Sequence, residues 1–283
     1  MSDKIPAKVV MELRTRTGVG MSKCKEALVE AGGDLEAAIH ILRKKGMASA
    51  VKKGGRETNE GIIGYTENAQ CAYLVEINVE TDFVTLNDRF KEFVKNICNE
   101  AVAGSPQSVE DFLKQKYSKN PSLTIDEYRA ETIHSLGENI QIRRVLGLQK
   151  KTGQSIGIYS HMGGKIITAV VLQGAEDQAG LAREVGMHVA AESPDFLKPE
   201  DIPEEVKAKE EEIARSQLQN KPPEIMDKII QGKMKAFYEQ SCLLNQKYVK
   251  DPSQTVKDFV TSEGKKAGKN LEILEFVRWQ MGE

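Results

Sequence analysis

The spacing of apolar residues divides this chain into helix-like and strand-like stretches. Near the N-terminus, apolar side chains recur every three or four residues in three short runs, which predicts a compact module of three helices over residues 1–46. Glycine pairs separate the runs, Asp34 is placed to cap the third helix, and Gly46 is expected to end it. Residues 47–58 have weak periodicity, paired glycines and positive charge, so we interpret them as a linker.

Beyond the linker the apolar period changes to two, with β-branched residues in alternate positions. The runs GIIGYTEN and QCAYLVEINV predict a hairpin, and the next apolar run predicts a helix capped by Asn87. Three further strand-like runs and a helix then follow. Their hairpin is similar in length to the first one, and in both cases acidic residues lie between the hairpin and the next helix. We therefore predict an α+β fold with antiparallel sheets and a duplicated core, one half at 59–139 and the other at 140–197 and 241–283.

Residues 198–240 interrupt this pattern, because they are dense in Glu and Lys around a thin apolar stripe with a turn at NKPP. The pattern predicts two helices joined by a proline turn, forming an antiparallel hairpin inserted into the second half. The second helix carries more apolar surface than the first can cover. We expect that surface to dock on a second copy of the chain, as a dimerisation surface, or on the body of the protein.

Composition excludes several classes of protein. The chain has 283 residues, a formal net charge of -2, 29% charged and 40% hydrophobic residues, which argues against a membrane protein or one that coats nucleic acid. No stretch approaches the roughly 18 apolar residues of a membrane span, and the N-terminus lacks an apolar signal segment, so we expect a cytoplasmic protein. The four cysteines are widely spaced, which predicts reduced thiols without a disulfide framework or a metal site.

Motifs for covalent chemistry are missing from the sequence. It contains no phosphate-binding glycine loop, no HExxH and no GxSxG, and its four histidines are scattered among unrelated elements. His161 stands in a hairpin turn beside two glycines without a nearby nucleophile, which favours a contact residue over a catalytic base. We therefore predict an interaction protein without a cofactor, and not an enzyme.

One loop does not fit a purely structural interpretation. The sequence ETDFVTLND, residues 80–88, places Phe83 in the connection between a strand and a helix, where Gly, Pro, Asn, Asp and Ser are usual. A phenylalanine is most often buried. However, Phe90 and Phe93 already supply aromatic side chains to the helix that follows, so Phe83 is free to serve another purpose.

Five stretches, in order and spanning nearly the whole chain, resemble the bacterial elongation factor Ts family: LRTRTGVGMSKCKEAL, GDLEAAIHILRKKG, EINVETDFV, GENIQIRRV and MHVAAESPDFLKPEDIP. The resemblance implies a guanine-nucleotide exchange factor that binds elongation factor Tu, in its GDP-bound and nucleotide-free states, and promotes GDP release. It also implies that the N-terminal module is similar to ubiquitin-associated domains. In this family the core consists of two related subdomains and the helical hairpin serves dimerisation.

The resemblance also implies site residues, position by position. Thr81, Asp82, Phe83 and Val84 match the segment that disturbs the Mg²⁺ site of the partner, with the phenylalanine wedged between partner side chains. Further partner contacts are expected in the N-terminal module and in a core loop, at Leu13, Arg14, Gly20, Met21, His161, Met162, Gly163 and Gly164.

This chain departs from some members of the family at two positions. Ser22 stands where those members carry a second methionine, so the part of this position in the contact with the partner stays open. The chain stops at Glu283, where some members continue into a further helix that contacts the partner.

Two questions stay open at this level. Asp82 either caps its own loop or contacts the partner directly. The basic residues Lys52, Lys53 and Arg56 motivate an alternative function, that of an RNA-associated or replicase-accessory protein, although the net charge and low aromatic content disfavour it. We expect no direct binding to nucleic acid or membrane. An enzyme without a recognisable motif is a third, weaker hypothesis.

Overall fold

The computed structural model describes residues 5–216 and 223–283. Its mixed helices and small antiparallel sheets confirm the predicted α+β class. By their internal contacts the residues form two compact units, which we describe separately. Unit 1 comprises Met1–Gln149, Gly163–Lys165 and Gln280–Glu283, and unit 2 comprises Lys150–Met162 and Ile166–Trp279. No helix among the described residues is long and apolar enough to cross a membrane.

The helices are α1 (Ala7–Thr17), α2 (Met21–Glu30), α3 (Leu35–Lys53), α4 (Asp82–Thr85), α5 (Asp88–Gly104), α6 (Val109–Lys114), α7 (Ile125–Leu136), α8 (Ala179–Glu192), α9 (Glu204–Ser216), α10 (Pro223–Ser241) and α11 (Val256–Lys266). The strands are β1 (Glu60–Glu67), β2 (Cys71–Val79), β3 (Ile140–Gln149), β4 (Gln154–His161), β5 (Ile166–Gln173), β6 (Lys247–Tyr248), β7 (Asp251–Thr255) and β8 (Glu272–Gln280).

The three N-terminal helices form the predicted module. Their apolar faces meet in one cluster that includes Val10, Leu13 and Leu28. The side chain of Asp34 accepts a hydrogen bond from the backbone N–H of Ala37 at 2.7 Å, which confirms Asp34 as the cap of α3.

The predicted end of the third helix at Gly46 is wrong, because α3 continues to Lys53. A Cβ atom at Gly46 would lie 3.4 Å from the carbonyl oxygen of Ala130 and 3.6 Å from Cβ of His134, both in α7. These are ordinary van der Waals distances, so Gly46 packs against α7 from within α3 and does not terminate that helix. The predicted linker at 47–58 is correspondingly helical over most of its length, and only residues 54–58 lie outside α3.

The first sheet belongs to unit 1 and has the strand order β1-β2-β3, with both pairs antiparallel. Tyr73, Val75 and Ile77 on β2 pack in one cluster with residues of α5 and α7. The predicted buried face of α5 is confirmed, since Phe90, Phe93, Val94, Ile97, Cys98 and Ala101 are all buried. This packing fixes the end of β2 and the beginning of α5, between which the candidate site lies.

The boundary predicted at residue 140 is wrong, because β3 pairs along its length with β2 in the first sheet. The third strand of the second sheet is instead the C-terminal β8, in the order β4-β5-β8. A period-two run fits either sheet equally well, so only long-range pairing decides which sheet it joins. In both sheets a hairpin is followed by helices and by a third strand beside the second strand, which supports the predicted duplication.

In unit 2, α8 packs on β4, and the absence of a side chain at Gly157 makes this possible. A Cβ there would lie 2.2 Å from the backbone nitrogen of Arg183. The predicted helices of the insertion are present as α9 and α10, with Ala214 packed against Ile230 and Met234. The proline turn predicted between these helices falls on residues outside those described.

Candidate functional site

The connection between β2 and α5 is a single helical turn, α4, and not an open loop. The backbone N–H of Leu86 donates to the carbonyl of Phe83 at 3.2 Å, and that of Asn87 donates to the carbonyl of Val84 at 3.0 Å. The side chain of Asn87 then accepts from the N–H of Arg89 at 2.9 Å, which confirms Asn87 as the cap of α5. The short turn is therefore joined directly to a long, capped helix.

The two sides of this turn differ in exposure. Val84 packs against the core of unit 1, and Thr85 is buried with its hydroxyl donating to the carbonyl of Asp82 at 2.6 Å. On the other side, Phe83 is 80% exposed and Leu86 is 71% exposed. The buried residues anchor the turn and the two large apolar side chains are presented to solvent.

Leu86 was not singled out from the sequence. The available signal was its spacing of three residues from Phe83, because residues three apart lie on the same face of a helix. That signal was masked by the expectation of an irregular turn in this connection.

Asp82 does not cap its own turn. Its carboxylate is exposed and, among the residues that the structure describes, accepts no hydrogen bond. The turn is held instead by Glu138, whose carboxylate accepts from the backbone N–H of Thr81 at 3.0 Å and from its hydroxyl at 2.6 Å. This result disfavours the loop-capping interpretation of Asp82.

Glu138 is part of a wider set of contacts that we call the β2–β3 clasp, formed by Arg56, Glu80, Thr81, Glu138 and Asn139. The Glu80 carboxylate accepts from the backbone N–H of Asn139 at 2.6 Å and from the Arg56 guanidinium at 3.2 Å. The buried side-chain amide of Asn139 donates to the carbonyl of Arg56 at 3.0 Å. The sequence did not reveal these contacts, although the stretch GENIQIRRV contains Glu138 and Asn139.

Within the N-terminal module, the four expected contact residues differ in accessibility. Arg14 and Gly20 are exposed, and Met21 is half-buried against the core of the module. Leu13 is fully buried in that core. In this conformation Leu13 therefore supports the module from inside and offers no surface to a partner, because it lies on the apolar face that α1 turns towards α2 and α3.

The loop between α1 and α2 is fixed to α5 and α7. The Ser135 hydroxyl donates to the carbonyl of Gly18 at 2.9 Å, and the Arg89 guanidinium in turn donates to the Ser135 hydroxyl. Gly18 has a φ of 66°, and a Cβ there would overlap the Arg89 guanidinium. Because Arg89 stands in the first turn of α5, the same helix that follows α4 also holds this loop.

The turn between β4 and β5 contains the remaining expected residues. Met162, Gly163 and Gly164 have consecutive positive φ values of 49°, 67° and 93°. His161 is exposed with Nδ1 3.0 Å from the Tyr159 hydroxyl, and Met162 is 71% exposed.

Gly164, which belongs to unit 1, is buried against the edge of β1. Its carbonyl accepts from the backbone N–H of Ile63 at 2.9 Å. It therefore anchors its end of the turn and is not accessible to a partner in this conformation.

Two of the three basic residues that motivated an RNA hypothesis are engaged within unit 1. The Lys53 ammonium donates to the carbonyl of Gly137 at 2.5 Å, and Arg56 pairs with Glu80. Burial, with the nearby charges of Arg56 and Lys23, lowers the pKa of Lys53. The sequence pattern that indicated a free basic linker thus forms internal contacts instead.

Three of the four thiols are buried in surroundings that disfavour the thiolate. Burial raises the pKa of Cys24 and of Cys242, and raises that of Cys98 to about 12, so these thiols are not activated nucleophiles. Within residues 5–216 and 223–283, no group of three or more His, Cys, Asp or Glu side chains is arranged to hold a metal ion.

Comparison with known proteins shows the family of the chain. The family model described as "Elongation factor TS" matches residues 80–283, which include α4, the β2–β3 clasp apart from Arg56, and all of unit 2. The chain belongs to the elongation factor Ts family. It is 54% identical over 275 residues to the elongation factor Ts of Protochlamydia amoebophila (strain UWE25), an alignment that covers 97% of this chain and 98% of that protein.

Other elongation factor Ts proteins match over a similar extent. The protein of Chlamydia felis (strain Fe/C-56) is 44% identical over 270 residues, covering 95% of this chain and 96% of its own length. The protein of Chlamydia trachomatis serovar L2 is 43% identical over 282 residues, covering 100% of both. The N-terminal module, which precedes the region matched by the family model, is therefore included in the alignments with whole elongation factor Ts proteins.

Proposed function

We propose that this chain is a guanine-nucleotide exchange factor that binds elongation factor Tu and promotes GDP release, so that the GTP form is regenerated for polypeptide elongation. The observation that carries the proposal is the anchored turn α4, which presents Phe83 and Leu86 to solvent although both are large and apolar. Membership of the elongation factor Ts family supports the choice of partner. The chain performs no covalent step in this function.

The proposed mechanism acts through the Mg²⁺ and phosphate site of the partner. Mg²⁺ offsets repulsion between the GDP phosphates and anchors them, so displacing the ion or its ligands weakens nucleotide binding. An exposed phenylalanine on a rigid turn is suited to insert between partner side chains and shift them. Asp82 stands beside it with a free carboxylate, and we infer that it contacts the partner directly.

Thermodynamic linkage sets the size of the effect. If the chain binds nucleotide-free partner more tightly than GDP-bound partner, GDP must bind the complex more weakly by the same factor. A hundredfold effect needs about 2.7 kcal/mol of differential contact. Burying one phenylalanine side chain provides about 1.5–3 kcal/mol, so Phe83 with a second apolar contact from Leu86 is sufficient.

Other accessible residues complete the proposed contact. Arg14, Gly20 and Met21 present the N-terminal module to the partner, while His161 and Met162 present the β4–β5 turn. These residues lie at the ends of helices and strands, where a rigid scaffold holds exposed side chains in place. The insertion at 198–240 stays a predicted dimerisation surface, which sedimentation of the purified chain would test.

The function is tested by measuring release of labelled GDP from elongation factor Tu with the wild-type chain, with Phe83→Ala and with Val51→Ala. Val51 on α3 is also 80% exposed, so it provides a matched control for loss of an exposed apolar side chain. We expect Phe83→Ala to slow release by about tenfold to 150-fold at subsaturating concentration, from the 1.5–3 kcal/mol above.

The thermal unfolding midpoint should be nearly unchanged in both variants, because neither side chain is buried in the free chain. Release at the wild-type rate with Phe83→Ala would refute the wedge role. Wild-type chain that does not accelerate release would refute the proposed function itself.

A further inference from the structure

The ends of β2 and β3 are joined beyond the last pair of the sheet by side chains. The last paired residues are Val79 and Ile140. In the next two positions, Glu80 stands opposite Asn139 and Thr81 opposite Glu138. Each glutamate binds the backbone N–H of the opposite strand end, Glu80 that of Asn139 at 2.6 Å and Glu138 that of Thr81 at 3.0 Å. Two reciprocal hydrogen bonds from backbone N–H groups to carboxylates thus hold the two strand ends together beyond the last backbone pair.

This junction determines where α4 begins. Thr81 is the residue immediately before α4, in an extended conformation with φ of -130° and ψ of 153°. Its hydroxyl makes no capping hydrogen bond to α4, because it donates to Glu138 instead. A helix of four residues has too few internal hydrogen bonds to hold its own direction. The direction of α4 is therefore set by its anchors, Thr81 at one end and the capped α5 at the other.

The contact made by Glu138 can be kept by an uncharged side chain of the same shape. Among the described residues Glu138 has no ion-pair partner within 4.0 Å, whereas Glu80 is paired with Arg56. Both oxygens of Glu138 are used by Thr81, one for the N–H and one for the hydroxyl. A glutamine has the same shape and can keep both contacts, since its oxygen accepts from the N–H and its amide donates to the hydroxyl oxygen.

We propose that Glu138 is a positioning residue for nucleotide exchange, acting through Thr81 to hold α4 so that Phe83 and Leu86 point away from the core. The inference rests on the proposed exchange function. It adds a residue that is far from the exposed turn in sequence and that acts through Thr81. It also gives the GENIQIRRV stretch a function, since that stretch places Glu138 and Asn139 opposite the end of β2.

The test compares Glu138→Ala, Glu138→Gln and a control, Glu110→Ala, whose carboxylate forms an exposed pair with Lys114 on α6. The first measurement is amide hydrogen exchange at Leu86 and Asn87 in the free chain. We expect exchange to be at least about tenfold faster in Glu138→Ala, which corresponds to about 1.4 kcal/mol of lost local stability, and unchanged in the other two variants.

The second measurement is GDP release from elongation factor Tu, made for each variant with and without Phe83→Ala. If Glu138 acts by placing Phe83 and Leu86, Glu138→Ala slows release severalfold in the wild-type background and by a smaller factor when Phe83 is already absent, because only Leu86 is then misplaced. Glu138→Gln restores the wild-type rate. A lost contact in a merely structural role would instead slow release by the same factor with and without Phe83→Ala.

Different failures identify different errors. Unchanged amide exchange in Glu138→Ala, or Glu138→Gln behaving like Glu138→Ala, overturns the positioning role whether or not the chain acts on elongation factor Tu. A wild-type chain that does not accelerate GDP release overturns the proposed function and with it the role of Glu138 in exchange. Should Glu138→Ala fail to fold, Thr81→Val removes only the hydroxyl contact, and the positioning role then requires an intermediate amide exchange rate.

Discussion

Acid should weaken the contact between the N-terminal module and α7 through a buried histidine. His134 is 8% exposed, and neither of its ring nitrogens has a hydrogen-bond partner among the described residues. Burial, together with the charges of Lys23 on α2 and of Lys53 and Lys45 on α3, lowers the pKa of His134 from 6.5 to about 4. The protonated ring is therefore disfavoured in the folded chain.

The sign follows from proton linkage. Above pH 6.5 the histidine is neutral in both the folded and the unfolded chain, so its contribution to stability is fully present. As the pH falls through 6.5 only the unfolded chain takes up the proton, and the free energy of unfolding decreases until the folded pKa is reached. With those two pKa values the loss is about 2 kcal/mol at pH 5 and approaches about 3 kcal/mol below pH 4.

The assay is urea denaturation between pH 7 and pH 5, comparing the wild-type chain with His134→Leu and with His40→Gln, which changes an exposed histidine of α3. A variant is necessary because other groups titrate in the same range. Burial lowers the pKa of His188 in unit 2 and raises the pKa of Glu131 on α7. Only the difference between the wild-type chain and His134→Leu isolates His134.

We expect His134→Leu to lose about 2 kcal/mol less stability than the wild-type chain between pH 7 and pH 5. The His40→Gln variant shows whether the removal of another histidine has the same effect. An NMR titration that places the pKa of His134 near 6.5, or identical pH slopes for the wild-type chain and His134→Leu, would refute the reasoning. Retained slope in His134→Leu would mean that other groups dominate the acid response.

Two further predictions concern Gly164 and Cys98. A Cβ at Gly164 would lie 2.9 Å from the Ile63 carbonyl oxygen, whereas one at Gly163 meets nothing within 4 Å. Gly164→Ala should therefore be less stable than Gly163→Ala by about 1–3 kcal/mol, and equal thermal unfolding midpoints would contradict this packing. Burial raises the pKa of the Cys98 thiol to about 12, so we expect a thiol reagent at pH 8 to label Cys98 only after the chain is unfolded. Rapid labelling of Cys98 in the folded chain, measured by mass spectrometry, would contradict this expectation.

Local sequence patterns determined the elements of this protein to a large extent. Asp34 and Asn87 were identified as caps because a short polar side chain before an apolar run can accept an N–H of the first turn. The apolar stripe of α5 and the strands of both hairpins were likewise legible, since each depends on residues within one or two turns of each other. Phe83 was conspicuous from its place in a connection, and the family resemblance added the expectation that it takes part in nucleotide exchange.

Tertiary structure decided the features that depend on distant partners. Gly46 does not end α3 but packs against α7, which is distant in sequence. Likewise, β3 joins the first sheet because its partner β2 lies there. Leu13 is unavailable for the same reason, since three helices close over it.

The candidate site shows the same division between sequence and structure. ETDFVTLND determined that a phenylalanine stands between a strand and a helix. Whether that side chain turns inward or outward was decided by Val84, Thr85 and Glu138. The direction of a side chain in a connection depends on the contacts that hold its backbone. Those contacts are brought together only when the sheet has formed.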